Sequence, residues 1–250
     1  ISILATGYNI IDLVAARERG VIACNVPGYS TDSVAQHTLA MLLQWTNSVG
    51  LHAESVRDGE WIRRKQFTYM LQPVVELSDL TVGIVGFGDI GRRVAELLHG
   101  LGAKVLVTTR TPRPHPGWER FAFVELDPLF QEADVISLHC PLNERSQGMI
   151  NAHRLGMMKP NAILINTARG GLVVETDLAD ALGKGKIAGA YLDVLTAEPM
   201  RADNPLRSLR NCWITPHIAW ASERARRRLI DETAANIHGF RGGAPRNVVS

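Results

Sequence analysis

An arginine, a glutamate and a histidine stand in that order along the chain, each just after an apolar run. Arg169 lies in Asn166-Thr167-Ala168-Arg169-Gly170-Gly171, Glu198 in Asp193-Val194-Leu195-Thr196-Ala197-Glu198-Pro199, and His217 in Thr215-Pro216-His217-Ile218-Ala219-Trp220. The residue types suit hydride transfer to a 2-oxo acid. A planar guanidinium holds a carboxylate and polarises a ketone. An imidazole gives a proton to the developing alkoxide near neutral pH. A carboxylate beside the imidazole orients it and keeps its acid form populated. Taken singly, each residue has an ordinary structural reading: a packed histidine, a surface arginine, a Glu-Pro turn. The case rests on all three following a nucleotide-binding loop.

That loop is Gly86-Phe87-Gly88-Asp89-Ile90-Gly91. It follows the apolar run Val82–Val85 and opens a helical pattern, Arg92–Leu101, which is the context that gives a GxGxxG match its meaning. Gly86 permits a tight turn, Gly88 lets backbone approach a pyrophosphate, and Gly91 lets helix and strand pack closely. The helix N-terminus then faces the anion. At the end of the next strand, Val107-Thr108-Thr109-Arg110, no carboxylate awaits the adenosine ribose. Thr109 occupies that place and Arg110 follows, which favours a 2′-phosphate and hence NADP over NAD. The alternative for Arg110 is a side chain in solvent.

These residues need a scaffold, and the surrounding pattern supplies one. From Thr81 onward, short continuous apolar runs alternate with helical patterns: strands at 81–85, 104–108, 134–139, 162–166, 188–193 and 213–215, with helices at 90–101, 127–132, 151–158 and 175–182. Such alternation predicts an α/β fold, a doubly wound parallel sheet covered on both faces, with ligands beyond the carboxyl ends of the strands. Before it, Ile3–Ala5 and Val21–Asn25 read as strands around a short helix, Asp12–Arg19. One long apolar helix is expected from Thr31 to about Asp58, followed by an irregular stretch, 59–78. A closing helix spans Glu223–Phe240.

Composition narrows the class. Of 250 residues, 27 are Lys or Arg and 25 Asp or Glu, a net charge of +2, which gives no reason to invoke nucleic acid. The cluster Arg224, Arg226, Arg227 and Arg228 reads as a solvated helix face. No apolar run reaches the roughly 18 residues of a membrane span. Three cysteines without CxxC spacing argue against a disulfide framework or metal site and for a reducing, cytoplasmic compartment.

Together these stretches resemble the D-isomer-specific 2-hydroxyacid dehydrogenases over essentially the whole chain. The likeness is carried by NVPGYSTDSVAQHTLA (Asn25–Ala40), GFGDIG (Gly86–Gly91), HCPL (His139–Leu142), NTARGGLV (Asn166–Val173), DVLTAEP (Asp193–Pro199) and TPHIAWAS (Thr215–Ser222). HCPL, PHIAWAS and PRNVV (Pro245–Val249) are most similar to glycerate dehydrogenases, also called hydroxypyruvate reductases. The resemblance implies Arg169 on the substrate carboxylate and keto oxygen, Glu198 supporting the imidazole, and His217 as general acid and base. It implies Asp89 and Ile90 against the pyrophosphate, and Thr109 and Arg110 at the ribose. Cys140, Pro141 and Ser146 would line the cofactor, with Thr167, Ala168 and Asp193 on its nicotinamide side. The amides of Thr6 and Gly7 would hold the substrate carboxylate from the second domain. It further implies a homodimer, with a Rossmann domain at 31–221. Residues 1–30 and 222–250 would be remnants of a truncated, flavodoxin-like substrate domain that lacks on the order of 70 residues before Ile1. Formate dehydrogenases are disfavoured, since they place Gln at the position of Glu198. Trp220 either restricts the substrate pocket or packs at a subunit contact. Two rival readings remain: a dinucleotide-sensing corepressor-like binding protein, and an inert cofactor-binding fragment.

Overall fold

The computed structural model describes residues 1–110 and 117–250. Seven strands form its sheet: β1 (Thr81–Val85), β2 (Lys104–Thr108), β3 (Phe121–Phe123), β4 (Val135–Leu138), β5 (Ile163–Asn166), β6 (Gly189–Leu192) and β7 (Cys212–Ile214). Their spatial order is β3-β2-β1-β4-β5-β6-β7, and every neighbouring pair is parallel. The chain therefore winds outward in both directions from β1, and the order reverses between β1 and β4. That switch point is where a doubly wound sheet opens a crevice for a ligand.

Nine helices accompany the strands among the described residues: α1 (Leu13–Glu18), α2 (Thr31–Asn47), α3 (Val49–Arg57), α4 (Glu60–Arg64), α5 (Asp89–Gly100), α6 (Leu126–Glu132), α7 (Ala152–Leu155), α8 (Glu175–Gly183) and α9 (Glu223–Arg241). The central strands β1, β4, β5 and β6 are apolar on both faces because both faces are covered. On one side, Leu42 of α2 and Val94 and Leu98 of α5 pack against Val82, Ile84 and Ile165. On the other, Leu129 and Phe130 of α6 and Leu178 of α8 pack against Ile136, Leu138 and Leu164.

The two chain ends meet beside this sheet. Single bridges join Ser2 to Cys24 and Cys24 to Val248. Asn236 of α9 donates to the Asn25 carbonyl (2.8 Å), and Asn247 donates to Asn236 (2.9 Å). Val26, Tyr29, Ala225 and Leu229 form a small core of their own, with Trp220 packed on it.

Several sequence expectations need correction here. Ile3–Ala5 and Val21–Asn25 do not form strands; only the Ser2–Cys24 and Cys24–Val248 bridges remain, since no longer ladder pairs with them. The expected single helix from Thr31 to Asp58 breaks at Ser48, whose backbone is left-handed (φ 45°) and separates α2 from α3. The stretch 59–78 is not wholly irregular: it holds α4 and a 3₁₀ turn, Leu77–Asp79. The edge strand β3, only three half-buried residues long, carries too little alternation to be read in advance.

Candidate active site

The phosphate loop is shaped by contacts that tolerate no side chain. Gly86 is left-handed (φ 99°), and a Cβ there would come within 2.7 Å of the His139 and Cys140 backbone. A Cβ on Gly91 would overlap the Gly86 carbonyl. Gly88 differs. Its backbone is extended, and a Cβ on it would meet nothing within 4 Å. The fold itself does not require glycine at 88, and the space before it is open. That space faces the N-terminus of α5, where, among the described residues, no side chain takes up the first-turn amides of Asp89 and Ile90. These features fit a dinucleotide pyrophosphate.

The other sequence-predicted cofactor residues at the adenosine end and in the 140–146 turn follow β2 and β4, the strands on either side of β1. Thr109 is half-buried just past β2, and Arg110 is exposed. Burial pushes the Cys140 thiol up to about 11, so it stays protonated at neutral pH, and it sits 3.8 Å from the Met149 sulfur. Ser146 Oγ donates to the Pro141 carbonyl (2.7 Å) and accepts from the Asn143 amide (2.8 Å), closing the 141–146 turn. Beneath the loop, burial holds His139 down at about 4, hence neutral, with Ser137 Oγ 2.8 Å from its Nε2.

Beyond the carboxyl end of β5, Asn166 is fully buried. Its amide donates to the Arg169 carbonyl (2.9 Å) and its oxygen accepts from the Ala168 amide (3.0 Å), folding 166–169 into a tight turn. Thr167 Oγ1 pairs with Thr38 of α2 (3.1 Å). The Arg169 guanidinium leaves this turn and lies against Gly7, where a Cβ would overlap it. Its Nη1 donates to the Ala168 carbonyl (2.7 Å) and its Nε to Asn9 Oδ1 (3.2 Å). Among the described residues, neither the Thr6 nor the Gly7 amide donates a hydrogen bond, while the Thr6 hydroxyl and carbonyl are tied to Val26 and Asn25. Two backbone donors and a guanidinium thus share one corner, a fitting cradle for a carboxylate.

Glu198 and His217 follow β6 and β7. His217 Nδ1 lies 2.6 Å from Glu198 Oε2. An ionised carboxylate only accepts, so Nδ1 carries a proton and Nε2 is left to exchange one. The other Glu198 oxygen accepts from the Leu195 amide (2.8 Å), which fixes the carboxylate. The two side chains are 41% and 37% exposed, within reach of a small solute.

His217 has a left-handed backbone, φ 53°, a conformation that costs a non-glycine residue about 1–3 kcal/mol. Asp193, only 1% exposed, holds it there. The Asp193 carbonyl accepts from the His217 amide (2.9 Å). Its carboxylate accepts from the Thr215 hydroxyl (2.6 Å) and from the Ile218 (2.9 Å) and Ala219 (2.8 Å) amides. Asp193 therefore organises the histidine loop, a task its sequence position did not reveal. Asn9, Asn166 and His37 also escaped sequence reading; a buried asparagine at a strand end was the available clue for Asn166. Trp220 meets Tyr29 edge-on, 6.3 Å between ring centres, so intrachain packing accounts for part of its bulk. Arg224, Arg226 and Arg227 are exposed, Arg227 pairing with Glu223, but Arg228 departs from the expected solvated face: it is half-buried, and its Nε donates to the Tyr29 carbonyl (2.8 Å). Among the described residues, no group of His, Cys, Asp and Glu is arranged to hold a metal, and no helix is long and apolar enough to cross a membrane.

Comparison with known proteins places the chain in a family. The family described as "D-isomer specific 2-hydroxyacid dehydrogenase, NAD binding domain" matches residues 39–219. The chain is 42% identical over 250 residues to a hydroxypyruvate reductase of Blautia hydrogenotrophica, covering 100% of this chain and 78% of that protein. It is 38% identical over 251 residues to a glycerate dehydrogenase of Methylorubrum extorquens, with 100% and 78% covered. Its fold is similar to the crystal structure of an NADPH-dependent glyoxylate/hydroxypyruvate reductase from Sinorhizobium meliloti in complex with NADP and malonate. That match has a TM-score of 0.89 at 31% identity and covers 100% of this chain and 76% of that one.

Proposed function

Because the chain belongs to the family of D-isomer specific 2-hydroxyacid dehydrogenases, NAD(P)-dependent oxidoreductases, we propose that it reduces hydroxypyruvate or glyoxylate and, in reverse, oxidises D-glycerate. The observation that carries this reading is the 2.6 Å His217–Glu198 pair, in the loops after β6 and β7, the two strands that follow β5 and its Arg169 turn in the sheet. The relatives named above are reductases of these small acids or a dehydrogenase of glycerate.

Gly86, Gly88, Gly91 and the first-turn amides of Asp89 and Ile90 hold the pyrophosphate, and Thr109 and Arg110 the adenosine ribose. When bound, the nicotinamide supplies or takes up the hydride. Arg169 and the amides of Thr6 and Gly7 grip the substrate carboxylate, and the guanidinium draws charge from the keto oxygen. His217 Nε2 delivers the proton to that oxygen as negative charge develops there. Glu198 steadies the imidazolium through Nδ1. Incubating the protein with NADPH and a panel of 2-oxo acids tests the reading: hydroxypyruvate and glyoxylate should deplete the 340 nm absorbance fastest. Depletion by none of the panel would overturn it.

Thr109 and Arg110 favour NADP. NADPH should bind more tightly than NADH, and Thr109→Asp should reverse the order. A carboxylate repels a 2′-phosphate and accepts from a 2′-hydroxyl. Fluorescence titration checks this; equal or tighter NADH binding by the parent contradicts it.

The domain boundaries run at 31–221 for the nucleotide domain, with 1–30 and 222–250 as part of a substrate-binding domain. The three cysteines are free and suit a reducing, cytoplasmic compartment. A two-fold homodimer is supported by outward apolar residues on and after α3: Val49, Val56, Ile62 (80% exposed) and Phe67 (95% exposed). Sedimentation should give twice the chain mass at micromolar concentration; a monomer there contradicts the assignment.

A further inference from the structure

Helix α2 carries polar side chains that no step of the reaction uses. Ser33 and His37, four residues apart, share a helix face, and Thr38 adjoins it. All three reach the loops beyond the strand ends. Ser33 Oγ donates to the Ala219 carbonyl (2.7 Å) and accepts from the Ser222 amide (3.3 Å). Thr38 Oγ1 donates to the Val34 carbonyl (2.9 Å), so its contact with Thr167 (3.1 Å) is one in which Thr167 donates. His37 Nε2 lies 3.2 Å from Thr215 Oγ1 and 3.6 Å from Asp193 Oδ1.

The direction of the His37 contact follows from proton counting. The Thr215 hydroxyl has one hydrogen, and it is committed to Asp193 Oδ1 at 2.6 Å. Its oxygen can then only accept, so Nε2 carries the hydrogen and donates. That hydrogen also faces the buried Asp193 carboxylate, whose other donors among the described residues are neutral: Thr215, Ile218 and Ala219. The same carboxylate and carbonyl hold His217 in its left-handed backbone. A chain of contacts thus runs from α2 through Thr215 and Asp193 to His217.

We propose that His37 is a positioning residue: by donating from Nε2 to Thr215 beside the buried Asp193, it locks the 215–219 loop and so aims the His217 imidazole. The inference rests on the reading of His217 as proton donor. Removing the donor leaves Thr215 free to turn from Asp193, and the loop relaxes toward ordinary backbone angles. Because small misplacements of a reacting group cost rate steeply, catalysis should suffer before binding does.

Three variants test this. His37→Leu removes the donor, Thr215→Val removes the hydroxyl at nearly constant volume, and His37→Gln keeps an N–H near the Nε2 position. Amide hydrogen exchange over 215–222 and kcat per nucleotide-binding site are the readouts. His37→Leu and Thr215→Val should each speed exchange at Ile218 and Ala219 and lower kcat by about tenfold, with KM and nucleotide affinity near the parent's. His37→Gln should restore both, and the double variant should be no worse than either single one. Parent-like exchange in a folded His37→Leu protein, or additive losses in the double variant, would overturn the proposal. If His37→Leu does not fold, the contrast between a parent-like His37→Gln and a loosened Thr215→Val decides it, and the reverse pattern overturns it. Exchange reads the brace directly, so a parent that reduced no 2-oxo acid would sink the catalytic reading and leave this test intact.

Discussion

Replacing His217 with alanine should lower kcat for reduction by about 10²–10⁴-fold, the usual contribution of a positioned general acid, while NADPH affinity stays close to the parent's. The asymmetry follows from geometry. The phosphate cradle at Gly86–Gly91 is built on β1, α5 and the His139–Cys140 backbone, whereas His217 follows β7 at the far edge of the sheet. Its imidazole pairs with Glu198 through Nδ1, so its loss removes the proton that Nε2 would deliver. Glu198→Gln should be milder, lowering kcat while nucleotide affinity stays near the parent's, because a neutral amide holds the imidazole at Nδ1 less firmly than the carboxylate now 2.6 Å away. A kcat equal to the parent's would mean that the pair does not act together in catalysis.

The second large effect belongs to Arg169. Arg169→Ala should reduce kcat/KM by at least about 10³-fold, with KM rising as kcat falls. The guanidinium has two duties: anchoring the carboxylate and stabilising charge on the keto oxygen. Arg169→Lys should recover little, because the fork that meets Gly7, Asn9 and the Ala168 carbonyl has no counterpart in a point charge. Initial-rate kinetics separate the two terms. A raised KM with unchanged kcat would confine Arg169 to binding alone.

Much of this was legible in the residues because parallel strands announce themselves. β1, β2, β4, β5 and β6 are short apolar runs bounded by turn residues, and the glycines of the phosphate loop sit between a strand and a helix, where they have a mechanism. Arg169, Glu198 and His217 could be placed on one edge of the sheet without coordinates, since ligands gather beyond the carboxyl ends of such strands. What escaped is what depends on partners distant in sequence. Asp193 was read as a cofactor neighbour, yet its carboxylate serves residues 215, 218 and 219. His37 looked like one more residue of an apolar helix, and only tertiary folding brings it to Thr215. The break at Ser48 is a single left-handed residue within an otherwise helical pattern, and the first thirty residues lack a ladder that would make strands of their apolar runs.

The central claim, that this chain moves a hydride between a nicotinamide and the 2-carbon of a small 2-oxo acid, is tested most directly by following the label. NADPH carrying deuterium on the transferring face of its nicotinamide, incubated with the protein and hydroxypyruvate, should yield D-glycerate with one deuterium at C2. Unlabelled glycerate, the L-isomer, or no product would contradict the account.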